Sequence, residues 1–192
     1  MADAGTDEAP KRREQILSAA RTAAKSHGYN GLNFRNLAAQ VGITSASLHY
    51  HFPTKADLGE ALGRQYREQA ARELAELADR VADLSGRLTG YATIFRCALE
   101  DGNQLCLASQ FSAEYDDLPL PVRDELAAFA EVNTGWIKQV LIDADEPEQR
   151  AEARAAAIFA AISGAQLAAR SRSDIAVFDT TVAAYRELGL LP

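Results

Sequence analysis

Apolar residues recur along this chain at spacings of three, four and seven, and nowhere alternate with polar ones as a half-buried strand requires. That period restricts the chain to helices packed on helices. Ile16, Leu17, Ala20, Ala23, Ala24 and His27 share one side of a first helix over about 10–27, and Gly28 is placed to end it. Asn33 can cap a second, "FRNLAAQ", which Gly42 closes; Thr44 can cap a third, "SASLHYHF", which Pro53 ends. A long helix then runs from about Lys55 to Leu84 with Leu58, Leu62, Tyr66, Ala70, Leu74, Leu77 and Val81 in a stripe. Its length would be roughly 45 Å at 1.5 Å per residue. Five more helices are expected at about 86–100, 103–117, 121–143, 147–170 and 174–189, broken by "EDGN", "DDLPLP", "DADEP" and "SRSD". The expected fold is all-α with nine helices, a small three-helix head and a larger helical body. In residue terms this gives a disordered tail over 1–8, a head over 9–54 and a body over 55–192.

At 192 residues, with 47% apolar and 24% charged residues, the chain has the balance of an ordinary soluble protein with a real core. Its longest uncharged run of note, "AAAIFAAISGAQLAA", is 15 residues, short of the roughly 18 that span a bilayer. The start, "MADAGTDEAPKRRE", lacks the apolar run of a signal peptide, so a cytoplasmic chain with Cys97 and Cys106 as reduced thiols is expected. The net charge of −7 hides an asymmetry. Residues 9–55 carry Lys11, Arg12, Arg13, Arg21, Lys25, Arg35 and Lys55 against Glu14 alone, whereas residues beyond Lys55 hold 13 basic and 23 acidic side chains. A basic end on an acidic body suits a chain of which one part meets nucleic acid.

The two short helices of the head are joined by "VGIT", a glycine-containing turn. This is the helix-turn-helix arrangement, in which the second helix enters the major groove of double-stranded DNA. Thr44, Ser45 and Ser47 put hydroxyls at the start of that helix, His49, Tyr50 and His51 add planar donors, and Lys55 can neutralise a phosphate. Leu48 and Phe52, four apart, should pin the helix to the head. Other uses of "GITSASLHYHFPTK" fit less well. His49 and His51 at i, i+2 point roughly 200° apart, unlike a zinc pair at i, i+4. A Ser/His catalytic pair would want an orienting acid, and none occurs before Asp57. His51 could equally cap or pack beneath the helix. No metal site and no cofactor are expected. Nor is an enzyme: the body shows no Glu-x-x-His pair, no Gly-rich phosphate loop and no nucleophile elbow, although a helical-bundle enzyme stays as a distant alternative.

"REQILSAARTAAKSHGYNGLNFRNLAAQVGITSASLHYHFPTKADL" resembles the N-terminal domain of the TetR family of bacterial transcriptional regulators. The match lies in Arg13, Ile16, Leu17, Ala19, Ala20, Gly28, Tyr29, Arg35 and Ala38, and then in Gly42, Ile43, Thr44, Leu48, His51, Phe52 and Lys55. Departures are His49 where the family tends to place its first aromatic residue, Ala46 in place of a small glycine, and Ala24 where Phe is frequent. The resemblance implies a TetR-like dimer, and a repressor that a small-molecule effector releases from a pseudo-palindromic operator. Arg35, Thr44, Ser45, Ser47, His49, Tyr50, His51 and Lys55 are the expected DNA contacts.

In this family the last two helices of each chain usually form the homodimer interface. The stripe of Ala155, Ile158, Phe159, Ile162, Ala165 and Ala169, followed by Phe178, Val182 and Tyr185, is the candidate here. Candidates for the effector pocket are Tyr66, Tyr91, Phe95, Cys106, Phe111, Tyr115, Asn133 and Trp136, although core packing would explain any one of them. The stretches around Cys106 and after Ile162 resemble a subset in which a cysteine of the sixth helix senses electrophiles or oxidants, so a thiol-sensing repressor using Cys106 is an alternative. Arg96 beside Cys97 is the basic neighbour such chemistry would want, and Cys106 has none in sequence.

Overall fold

A computed structural model describes residues 8–192, with the side chain of Glu8 excepted. The tail expected over 1–8 lies outside the described residues apart from the backbone of Glu8, where the first helix begins. Nine α-helices and no strand occur among the described residues. They are α1 (Glu8–His27), α2 (Phe34–Val41), α3 (Ser45–His51), α4 (Lys55–Arg80), α5 (Leu84–Glu100), α6 (Leu107–Ser112), α7 (Leu120–Ile142), α8 (Glu148–Arg172) and α9 (Ile175–Glu187). Short 3-10 turns sit at Tyr29–Gly31 and Tyr115–Asp117.

Local chemistry sets the ends of the head helices. Asn33 accepts the Asn36 N–H at 3.1 Å, and Thr44 Oγ1 accepts the Ser47 N–H at the same distance. Gly42, at φ 74° and ψ 36°, closes α2 in the left-handed conformation. Gly28 ends α1 differently: its φ of 65° and ψ of −159° fall in a region essentially reserved for glycine.

Two helices depart from the sequence expectation. α4 stops at Arg80 rather than Leu84, so at 1.5 Å per residue its 26 residues span roughly 39 Å. Asp83 accepts the Gly86 N–H at 2.7 Å and starts α5, while Arg87 donates to the carbonyls of Val81 (2.7 Å) and Ala78 (3.2 Å) at the end of α4. α6 is six residues long rather than the fifteen of 103–117. Asn103 turns left-handed (φ 56°) and returns its N–H to Leu99, leaving residues 101–106 as a loop.

The chain forms two compact units. The first holds the described residues up to Tyr66 together with Gln110–Leu126. Ile16, Leu17 and Ala20 of α1, Leu37 of α2, Leu48 of α3, and Leu58 and Leu62 of α4 are buried in it. Segment 110–126 belongs to the same core: Phe111 meets Tyr29 edge-on with ring centroids 5.9 Å apart, and Glu114 accepts the Tyr29 N–H at 3.1 Å. Arg64 donates to Glu125 at 3.3 Å.

The second unit comprises Arg67–Ser109 and Ala127–Pro192. Its core is built from Leu88, Tyr91 and Phe95 of α5, Ile137 and Leu141 of α7, Ile158 and Ile162 of α8, and Phe178 of α9. Gln166 is fully buried with both ends of its amide used. It accepts the Cys106 N–H (3.2 Å) and donates to the Phe95 carbonyl (2.8 Å).

Candidate nucleic-acid interface

Leu48 and Phe52 are buried under α3, and Arg13 lies 4.9 Å over the Phe52 ring. That leaves the other sides of a seven-residue helix free to present polar groups. Thr44, Ser45, His49 and Tyr50 are exposed, Tyr50 at 82%, while Ser47, His51 and Lys55 are half-buried. Arg35 is exposed on α2. The eight expected contacts thus lie on α2, on α3 and its cap residue Thr44, and on the first turn of α4, all within one compact unit.

Two hollows are lined by residues of α3. One, of about 550 Å³, is lined by Arg12, Gly42, Ile43, Thr44, Ser47, Tyr50 and His51. The other, of about 320 Å³, is lined by Asn30, Leu32, Asn33, Phe34, His49 and Lys55. Arg12, Asn30 and Asn33 were not among the sequence candidates. Arg12 belongs to the "KRR" run that signalled the basic head, but only the fold reveals which member of that run lines the hollow.

Lys55 is partly committed within the fold. Its ammonium lies 4.3 Å from the Tyr29 ring centroid, an aromatic face that favours the cation. Burial lowers its pKa from the ordinary lysine value, opposed by the Glu114 carboxylate. Tyr29 itself is pushed above the usual tyrosine value by burial.

The expected effector residues divide between the units. Tyr91, Phe95, Cys106, Asn133 and Trp136 fall in the second, and Tyr66, Phe111 and Tyr115 in the first. Tyr91 and Trp136 stack at 5.8 Å and 21°, and Tyr91 and Phe95 lie 5.3 Å apart. The Tyr91 hydroxyl donates to Asn133 Oδ1 at 3.1 Å, and Asn133 Nδ2 donates to the Phe129 carbonyl. Phe111 packs on Tyr29, and Tyr115 carries Arg123 at 4.6 Å from its ring centroid.

The thiols occupy different surroundings. Cys97 is exposed on α5 and Cys106 is buried just before α6. Cys106 Sγ receives the Ser109 N–H at 3.3 Å and lies 3.0 Å from the Ser109 hydroxyl. Arg96, beside Cys97 in sequence, is held by carboxylates: it donates to Asp179 at 2.7 and 3.1 Å and also to Glu100. These bonds raise the Arg96 pKa and lower that of Asp179.

The expected dimer residues lie mostly inside the chain. Ala155, Ile158, Ile162, Ala165, Ala169, Phe178 and Val182 are each under 5% exposed; Phe159 and Tyr185 are half-buried. The outward face of α8 carries Ala153, Ala157, Ala160, Gly164, Leu167 and Ala168.

Among the described residues, no three of His, Cys, Asp and Glu come together to hold a metal, and no helix is long and apolar enough to cross a membrane.

The fold and the α2–α3 arrangement define a helix-turn-helix protein with an all-α body. Residues 16–62 match the family described as bacterial regulatory proteins, tetR family. A transcriptional regulator of the TetR family from Agrobacterium tumefaciens superposes with a TM-score of 0.85 at 30% identity, covering 93% of this chain and 97% of that one. The HTH-type transcriptional repressor AcnR of Corynebacterium diphtheriae is 37% identical over 65 residues, 34% of each chain. The nucleoid occlusion factor SlmA of Photobacterium profundum is 35% identical over 78 residues, 40% of each. These matches span between a third and two fifths of the curated relatives' length. The chain belongs to the TetR family of bacterial regulatory proteins.

Proposed function

We propose that this protein is a cytoplasmic homodimeric transcriptional repressor that holds a pseudo-palindromic operator with α3 and leaves it when a small-molecule effector binds the body. The observation that carries the reading is α3 itself, pinned by Leu48 and Phe52 and offering Thr44, Ser45, His49 and Tyr50 outward between two hollows. Hydroxyls and amides there can position on phosphates, while Tyr50 and Ser45 can reach base edges. The test is a salt series of binding to genomic DNA fragments. The logarithm of affinity should fall linearly with the logarithm of salt, and Arg35→Ala and Lys55→Ala should each lower the slope by about one. Affinity indifferent to ionic strength contradicts the reading.

The effector half rests on a buried donor. Among the described residues Trp136 Nε1 meets no acceptor, and Gln104 Oε1 is likewise buried without a donor. An unpaired buried group costs about 1–3 kcal/mol, which a ligand oxygen meeting the indole N–H would recover. With Tyr91 stacked on the same indole, the fitting effector is planar, mostly apolar and bears an acceptor oxygen. Trp136 is the chain's single tryptophan, so its emission reports this site alone. In a panel of planar aromatic carbonyl compounds, those that release DNA should shift that emission. Trp136→Phe, which keeps a ring and removes the N–H, should raise the concentration needed for release about tenfold. Release unchanged in that variant would move the effector elsewhere.

We assign dimerisation to the outward face of α8. Small residues at Ala153, Ala157, Ala160, Gly164 and Ala168 let a second helix approach closely, with Leu167 (56% exposed) as an apolar knob.

A further inference from the structure

His49 stands in the last turn of α3, exposed, with its ring 4.7 Å from that of Phe34. Its Nδ1 lies 3.1 Å from the carbonyl oxygen of Pro53. A carbonyl oxygen only accepts, so Nδ1 carries the hydrogen. In the neutral ring Nε2 is then a bare lone pair. A phosphate oxygen also only accepts, so neutral His49 has nothing to offer it except repulsion. A second proton converts Nε2 into a charged donor, the strong kind of phosphate partner.

The surroundings suit a phosphate. His49 shares its 320 Å³ hollow with Lys55, Asn30 and Asn33, and no carboxylate is among the residues lining it. One ammonium and two amides make this the chemistry of an anion seat. The C-terminal end of a helix also favours positive charge. The charged and titratable groups on the elements around it are few. Arg35 follows Phe34 on α2 and is exposed. Tyr50 and His51 face each other edge-on at 5.4 Å. Asp57 accepts the N–H and hydroxyl of Thr54, each at 2.8 Å, and Glu114 accepts the Tyr29 N–H.

We infer that His49 binds a DNA backbone phosphate only as its imidazolium, so that this protein takes up a proton when it takes up DNA. The inference rests on the DNA-binding function proposed above. Binding is then tightest in mild acid and weakens as the imidazole loses its second proton. His49 is then a contact that depends on pH.

The test uses the full-length protein and a fluorescent 30-base-pair duplex of mixed sequence, read by anisotropy between about pH 8 and about pH 5.5, where imidazoles change charge. Wild type is compared with His49→Tyr and His49→Gln, because His27 and His51 are present in all three proteins. The wild type should gain about fivefold more affinity on acidification than either variant, and its salt slope should steepen by about one phosphate in acid only. Equal pH dependence in all three proteins overturns the role of His49 and leaves the DNA reading standing. Absence of duplex binding at every pH overturns the DNA reading itself, and this inference with it. Should His49→Tyr fail to fold, His49→Gln decides.

Discussion

Replacing Gly28 with Ala is expected to destabilise the first compact unit by about 3–5 kcal/mol, through backbone strain and the loss of one charge-assisted hydrogen bond. At φ 65° and ψ −159°, Gly28 occupies backbone that other residues reach only under strain. A Cβ there would also fall 1.5 Å from Glu114 Oε1, driving away the carboxylate that accepts the Tyr29 N–H. Asn separates this from an ordinary left-handed helix end. Gly42→Asn should cost no more than about 1 kcal/mol, because φ 74° and ψ 36° suit Asn and a Cβ there meets nothing within 4 Å. Gly28→Asn should be as damaging as Gly28→Ala, because Asn tolerates the left-handed helical region and not this one. Urea unfolding followed by circular dichroism measures both, and duplex affinity should fall with stability for Gly28 alone. If Gly28→Asn behaves like Gly42→Asn, the conformational argument is wrong.

These two glycines also mark where the sequence could be read. A capping residue acts on backbone within four positions, so Asn33, Gly42 and Thr44 announced the ends of α2 and α3, and both helices formed there. Leu48 and Phe52 were legible as anchors for the same reason of spacing, and both are buried. Glu114 was invisible because its partner, the Tyr29 N–H, is 85 residues away. No local pattern announces that segment 110–126 shares a core with α1 and the start of α4. Asp83 was missed as a helix start because the stripe of α4 passes through Val81 and Leu84 without a glycine or proline break. At the candidate interface, the polar face of α3 followed from the sequence. The tautomer of His49 did not, because it depends on the carbonyl of Pro53 after the helix has ended.

On α8 the apolar pattern is two-sided, and its outward side carries the other large expected effect. Alanine stands on nearly every side of α8, so spacing finds apolar stripes both inward and outward. The larger Ile158 and Ile162 drew attention to the inward one, which the chain buries within itself. The outward stripe is free to take bulk: Ala160 and Gly164 are exposed, and a Cβ at Gly164 meets nothing within 4 Å. The double variant Ala160→Arg, Gly164→Arg should therefore keep the far-ultraviolet circular dichroism and melting behaviour of the parent, yet run as a monomer in sedimentation equilibrium. Ile158→Arg, by contrast, puts a charge into a fully buried position and should unfold the second unit. Separating two heads that bind one operator removes the advantage of linked sites, so affinity for genomic operator fragments should drop roughly 10²–10⁴-fold. Binding by one head to a random duplex should change far less, because each head keeps its own phosphate contacts. A double variant that stays dimeric would place the interface on another surface of the body. One that is monomeric yet holds genomic fragments as tightly as the parent would remove the two-headed operator from the function.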